Sequence, residues 1–245
     1  MSDPRAQYDP GARYLIVNAD DFGASPGVNR GIVESHQKGV LTSTSMMVTG
    51  KAVEEAIELS RQNPKLAIGL HFDVLGEDEK EVDTRNVEAM RVEFFKQLEE
   101  FHRIMGRAPT HIDSHRHVHR QKQLFDSFCK WTSPLNVSVR AAGEVQFRGG
   151  FYGQWEWKVT DLEHVSVAFL QKMIRDEVPV GFTEISTHPG YVGADYQAVY
   201  NVEREAEVRT LIDPRVKETI HEQGITLISY TDYNRLRNRG NEPRL

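Results

Sequence analysis

Tyr14-Leu15-Ile16-Val17-Asn18-Ala19-Asp20-Asp21-Phe22-Gly23-Ala24-Ser25 is the stretch on which the fold reading turns. An apolar run passes directly into two adjacent carboxylates, and Pro26 then opens a helix-like segment. A short apolar run bounded by turn signals reads as a strand buried on both faces, the kind found in parallel sheets. Two neighbouring carboxylates at the end of such a strand repel each other and disturb each other's protonation. A purely structural role seldom calls for that pair. A cation site, or a base beside a cation, does.

The same grammar repeats outward from this stretch. Further strands are expected at 41–48, 66–72, 110–114, 136–141, 182–187 and 225–230, after a first strand at 13–19. Helices are expected at 27–38, 51–62, 87–105, 122–131, 162–176, 198–211 and 214–223, with Gly39, Asn63-Pro64 and Gly106 as stops. Strands alternating with helices predict a parallel sheet covered by helices. The chain has 245 residues, about the length of one large α/β domain, and carries no linker or low-complexity segment. No Gly-x-Gly-x-x-Gly follows the first strand, which removes the best argument for a dinucleotide-binding open sheet. The expectation is an α/β fold: a single-domain (β/α) barrel over residues 1–245, with seven or eight parallel strands. Residues 1–12 and 234–245 read as loosely packed tails. Residues 143–160 mix glycines with Phe147, Phe151, Tyr152, Trp155 and Trp157. They read either as a cover over the end of the core or, in the aromatic stretch 147–157, as a stacking platform for a sugar face.

Bulk properties exclude several classes. The formal net charge is −6, which argues against a nucleic-acid or anionic-membrane surface. No run approaches the ~18 apolar residues of a membrane span, and the first ten residues are polar, unlike a signal peptide. The single cysteine, Cys129, forms no internal disulfide and sits in an amphipathic pattern that suits a core thiol. Cytoplasmic residence is the default expectation, and a homodimer is left open.

Polar residues fall at corresponding places along the pattern. Asp20 and Asp21 end the first strand, and His71 ends the third. The run Thr110-His-Ile-Asp-Ser-His-Arg-His-Val-His119 ends the fourth, and His188, before Pro189-Gly190-Tyr191, ends the sixth. In barrels of parallel strands the active site lies at the carboxyl ends, so these groups converge on one pocket. One carboxylate with two imidazoles is a ligand set for a divalent transition metal that keeps open positions for water. Asp21, His71 and His115 are the expected ligands, with His119 as the main rival to His115. Asp113 and His117 are expected to orient a ligand imidazole. Asp20 is then available as general base, against the plainer reading of a helix cap. His188 is available as an acid for the leaving group, against the plainer reading of a turn residue. Arg140, after the fifth strand, is expected to hold a polar or anionic substrate group, or else to serve as a salt-bridge partner.

Leu15 to Asn29, Leu41 to Val48, Ile68 to Phe72, Thr110 to His119 and Ser186 to Tyr191 resemble, in order, the motifs of the YdjC-like carbohydrate deacetylases, the chitooligosaccharide deacetylase family. The resemblance spans about residues 13–233. It implies a (β/α) barrel, one divalent metal ion (Mg²⁺ in the family) and hydrolysis of the acetyl amide of an N-acetylated sugar. It also implies Asp20 as base, Asp21, His71 and His115 as metal ligands, and His188 as a catalytic acid. Arg116 stands where some members carry another histidine, which bears on substrate choice. The nitrogen-rich donor set by itself favours Zn²⁺ or another transition metal over Mg²⁺. The function expected is a metal-dependent deacetylase of an amino sugar or short chitooligosaccharide, with cation-activated water as nucleophile. Two alternatives stand beside it: another barrel metallohydrolase, cleaving a phosphoester or cyclic amide, and a non-catalytic carbohydrate-binding protein.

Overall fold

The computed structural model describes residues 9–75, 83–193 and 198–240. Eight parallel strands form one curled sheet there: β1 (Arg13–Phe22), β2 (Ser43–Met46), β3 (Ala67–Phe72), β4 (His111–Ser114), β5 (Ser138–Val139), β6 (Gln146–Arg148), β7 (Gly181–Thr187) and β8 (Ile225–Leu227). Seven of them run in the order β5-β4-β3-β2-β1-β7-β6. β8 pairs with the start of β1, at Arg13 to Leu15, while β2 pairs with its end, from Asn18 to Phe22. No pairing among the described residues joins β5 to β6, so the barrel is incomplete. The expected barrel of parallel strands is therefore present, as an open-sided one.

Helices α1 (Pro26–Lys38), α2 (Val53–Gln62), α3 (Val87–Met105), α4 (Phe125–Thr132), α5 (Val167–Glu177), α6 (Val202–Leu211), α7 (Pro214–Glu222) and α8 (Tyr230–Gly240) complete the order. Their ends follow local chemistry. Ser25 caps α1 by accepting from the Val28 N–H, with Pro26 in the first turn. Asn86 caps α3, and Gly106 closes it in the left-handed conformation at φ 65°. The cap of α1 is thus Ser25, and Asp20 is released from the plainer role weighed for it.

Strand periodicity of two divides the core. Leu15, Val17 and Ala19 of β1 pack outward against the helices, in the large apolar cluster. Tyr14 and Ile16 point the other way and join Ala67, Phe182 and Tyr230 at the foot of the barrel. Farther along the same inward face stand Asn18 and Asp20 on β1, His71 on β3, His111 and Asp113 on β4, and Glu184 on β7, all buried. The interior changes from apolar to charged toward the carboxyl ends. Gly69 of β3 makes room for this layer: a Cβ there would lie 2.5 Å from the His111 ring.

Three expectations change. The tail from 234 is helical through Gly240, because Tyr230, Tyr233 and Leu236 recur at helical spacing and pack on the foot of the barrel. Residues 1–8 and 241–245, assigned to the tails, lie outside the described residues. β6 was hidden inside the glycine- and aromatic-rich stretch, and α6 begins at Val202, not at 198.

Candidate metal centre and its cavity

Successive strand residues face opposite sides, so adjacent carboxylates ought to diverge. They do not, because β1 bulges. Its register with β2 shifts between Ala19 and Phe22, and Asp21 takes φ 72°. The left-handed kink is one that Asp tolerates better than most residues. It brings the second carboxylate to the mouth of the barrel beside the first.

Asp21 Oδ1 lies 3.2 Å from His71 Nε2 and 3.3 Å from His115 Nδ1. Donors about 2.1 Å from one ion, at tetrahedral or octahedral angles, are separated by about 3.0–3.4 Å. Both separations from Asp21 meet that spacing, and the three donor atoms all lie within 4.8 Å of one another. His71 fits the role in a second way. Its Nδ1 lies 2.6 Å from Asp113 Oδ1, which fixes the ring and its tautomer. Its Nε2 is buried and faces the Asp21 carboxylate without a well-formed hydrogen bond. A buried polar atom so poorly paired is costly unless something else satisfies it. Burial alone would lower the His71 pKa, but the Asp113 carboxylate outweighs it and holds the imidazole well above its ordinary value.

Asp20, Asp21, Asp113 and Glu184 are buried carboxylates, and Arg140 and Arg204 are the buried guanidinium groups that meet them. A second trio, Asp20, His71 and Asp113, also has donor atoms close together. Its carboxylates are already engaged by Arg140, and its imidazole nitrogen is given to Asp113, so the Asp21 trio is the better cradle.

Of the two roles weighed for Arg140, the salt-bridge partner holds and the substrate-holding one does not. It is fully buried, and its guanidinium binds Asp20 through two nitrogens at 2.6 and 2.7 Å, Glu184 at 2.7 Å and Asp113 at 2.8 Å. With its donors committed to three carboxylates, it has none to offer a substrate. Its work is to hold Asp20. Burial raises the Asp20 pKa, but the Arg140 guanidinium prevails and holds it below the ordinary carboxylate value. Burial likewise raises Asp21, and Arg204, whose Nη2 donates to Oδ2 at 2.6 Å, holds it well below.

His119, the rival ligand, is also explained. Its Nδ1 lies 2.5 Å from Ser114 Oγ and its Nε2 lies 3.1 Å from the Arg140 carbonyl oxygen. Both nitrogens are occupied inside the protein, so it braces the segment and is not directed at the cation site. That segment is a 3₁₀ turn, His115–Arg120, broken by positive φ at Arg116 and His117. His117 packs edge-on against Phe147 and does not orient a ligand ring; Asp113 does that.

A cavity of ≈ 440 Å³ opens above these groups, within the size range of small-ligand sites. Asp20, Asp21, His71 and His115 form its floor. His188 stands at the side, with Nε2 3.7 Å from Asp20 Oδ2, and burial pushes its pKa down to about 4. Tyr152 and Tyr200 form a wall, stacked with centroids 4.5 Å apart. Trp157 stands at the rim, with the Arg116 guanidinium 4.8 Å over its ring. The aromatic stretch divides between cover and cavity. Phe151 is buried as a cover, Tyr152 and Trp157 face the cavity, and Trp155 stacks on His164 outside it.

Sequence reasoning missed Arg204, Glu203, Glu207 and Tyr200. The α6 segment, Val-Glu-Arg-Glu-Ala-Glu-Val-Arg, reads as a solvated charged helix, and nothing in its pattern announces that Glu203, Arg204 and Glu207 are buried.

The YdjC-like protein family matches residues 14–222, which include every one of these groups. The chain belongs to the YdjC-like family. Among solved structures, this YdjC-like chain is similar to an Enterococcus faecalis V583 protein named as a candidate for cellobiose-phosphate cleavage. The identity is 28%, the TM-score 0.72, and the match covers 91% of this chain and 99% of that one. It shares its fold with the polysaccharide deacetylase Bc1974 of Bacillus cereus, at 12% identity and TM-score 0.58, over 89% and 92% of the two chains. It also shares it with a family 4 carbohydrate esterase of Streptomyces lividans, at 12% identity and TM-score 0.54, over 87% and 91%. No helix among the described residues is long and apolar enough to cross a membrane.

Proposed function

We propose that this protein is a metal-dependent carbohydrate deacetylase that hydrolyses the acetyl amide of an N-acetylated amino sugar or short oligosaccharide. The observation that carries the reading is the trio Asp21, His71 and His115 around one point, with the separate carboxylate Asp20 beside it at the floor of an aromatic-walled cavity. Membership of the YdjC-like family supports it. A divalent ion held by the trio would supply Lewis-acid polarisation of the carbonyl and a more acidic water.

The chain's own residues supply the rest. Asp20 is held ionised by Arg140 and accepts a proton from the attacking water. The water oxygen adds to the acetyl carbon, the C–N bond breaks, and the amine nitrogen must receive a proton. His188 is neutral at neutral pH and lies beside Asp20, so it can relay that proton to the leaving nitrogen. Tyr152 and Tyr200 offer flat apolar faces against which a sugar ring packs. The two aspartates divide the labour: Arg140 grips the base, and Arg204 grips the ligand.

Acetate release tests this directly. The metal-stripped protein is reloaded in turn with Zn²⁺, Mn²⁺, Co²⁺, Ni²⁺ and Mg²⁺ and assayed on N-acetylated mono- and disaccharides. The name of the E. faecalis relative makes phosphorylated forms part of the panel. Release that depends on metal and is abolished by chelator is expected. Release from the stripped protein, or none from any sugar with any metal, would overturn the reading.

A further inference from the structure

Glu207 is a fully buried carboxyl on α6 that the chemistry above does not use. A carboxyl taken out of water is costly unless it is well partnered, so its partners show what it is for. There are two. The backbone N–H of His188 donates to Oε2 at 2.5 Å, and the Tyr200 hydroxyl donates to Oε1. One turn earlier on the same helix, Arg204 Nη1 donates to the His188 carbonyl oxygen at 3.3 Å, and Nη2 holds Asp21. Residues three apart share a helix face. The backbone donor and acceptor of His188 are therefore both held by one face of α6.

This matters because the sheet does not hold His188. β7 ends at Thr187, its ladder with β1 stops at the pair Ala19–Thr187, and Pro189 follows with no N–H to give. The ring that stands 3.7 Å from Asp20 gets its placement from side chains on a helix, not from strand register.

We propose that Glu207 is a positioning residue for the reaction: by holding the His188 N–H it sets the His188 ring against Asp20. The claim rests on the deacetylase reading for its kinetic readout only. Burial pushes Glu207 up to about 8, and a glutamine side-chain carbonyl can accept the same His188 N–H. A merely structural carboxyl would behave differently: its loss would lower stability and leave the turnover of the folded protein intact.

The test compares the full-length metal-loaded protein with Glu207→Ala and Glu207→Gln, by steady-state kinetics and by NMR exchange of the His188 amide. Glu207→Ala is expected to lower kcat at least about tenfold, with a smaller change in KM and unchanged bound metal. Its His188 amide is expected to exchange at least about tenfold faster. Glu207→Gln is expected to keep the amide protected and most of kcat. A folded Glu207→Ala protein with kcat within about twofold of wild type overturns the proposal. So does a folded Glu207→Gln protein as impaired as Glu207→Ala, and if the alanine variant does not fold, a folded glutamine variant that loses turnover does the same. If the wild type hydrolyses no sugar, the deacetylase reading fails, and the amide exchange still decides whether Glu207 holds His188.

Discussion

The two sides of the cavity are built by different means. The cation side, on β1, β3 and β4, takes its geometry from strand register. Asp20, His71 and Asp113 alternate inward, neighbouring strands align them, and one bulge at Asp21 adds the second carboxylate. The aromatic side, from Gln146 to Glu207, takes its geometry from side-chain bonds to one helix. Glu203 accepts from Gln154 and Thr160, Tyr200 accepts from the Gly153 N–H, and Glu207 and Arg204 hold His188. A site made on a backbone lattice is rigid and repeats a pattern. A site hung from buried carboxyls is adjustable, and its placement depends on residues far apart in the chain. Catalysis should therefore break at single atoms on the first side and at the bonds that hold His188, and substrate fit should loosen elsewhere on the second.

The largest effect is expected at Asp20. Asp20→Asn should lower kcat by about 10²–10⁴-fold while the protein still binds one metal ion per chain, since Asp20 is not in the ligand trio. Acetate kinetics and metal analysis of the same sample check this. Loss of the metal together with the activity would erase the distinction between the two aspartates.

Arg140 comes next, through stability. Arg140→Met leaves Asp20, Asp113 and Glu184 buried without their shared cation. Breaking such a buried network by removing one partner costs about 3–5 kcal/mol, to be read as a lower urea midpoint. A variant as stable as wild type would mean that solvent reaches these carboxylates.

On the aromatic side the expected changes are smaller and of another kind. Glu203→Ala releases Gln154 and Thr160, and costs about 1–3 kcal/mol for the polar groups left behind. It should raise KM several-fold more than it lowers kcat and leave metal content alone. An equal loss in kcat would mean that Glu203, and not only the bonds that hold His188, serves the chemistry.

The smallest expected effect is the pH dependence set by Glu207. Burial lifts its pKa from 4.5 to about 8, with Asp20 adding to the rise and the Tyr200 and His188 bonds and the Arg204 charge opposing it. A group whose pKa is raised in the folded state stabilises fully below its unfolded value, and that contribution is lost as pH rises through the folded value. The melting temperature of wild type should therefore fall relative to Glu207→Gln between about pH 4.5 and about pH 8, and then level off. Parallel curves would mean that Glu207 is not shifted.

The same contrast explains what could be read from the amino-acid sequence. The parallel strands, the helix stop at Gly106 and the donors Asp21, His71 and His115 follow apolar runs, glycine punctuation and strand ends, which are local signals. The bulge that turns Asp21 inward left no sign beyond the Asp-Asp pair itself. Arg140 was left between substrate clamp and salt-bridge partner because a lone arginine after a strand looks the same whether it faces solvent or three buried acids. His119 looked like a ligand because its spacing from His115 fits a helix, whereas the segment is a broken 3₁₀ turn. Glu203, Arg204 and Glu207 were invisible because a buried charged face and a solvated one share the same letters. β6 and α8 were lost for a related reason: three residues among glycines, and a polar helix anchored by Tyr230, Tyr233 and Leu236, give little periodicity to detect.

The central claim is that one cation site is formed by Asp21, His71 and His115. Crystals soaked in Mn²⁺, with data collected at the manganese edge, address it most directly. The account predicts a single anomalous peak about 2.0–2.3 Å from Asp21 Oδ1, His71 Nε2 and His115 Nδ1. A peak on Asp20 and Asp113, or none near the three, would contradict it.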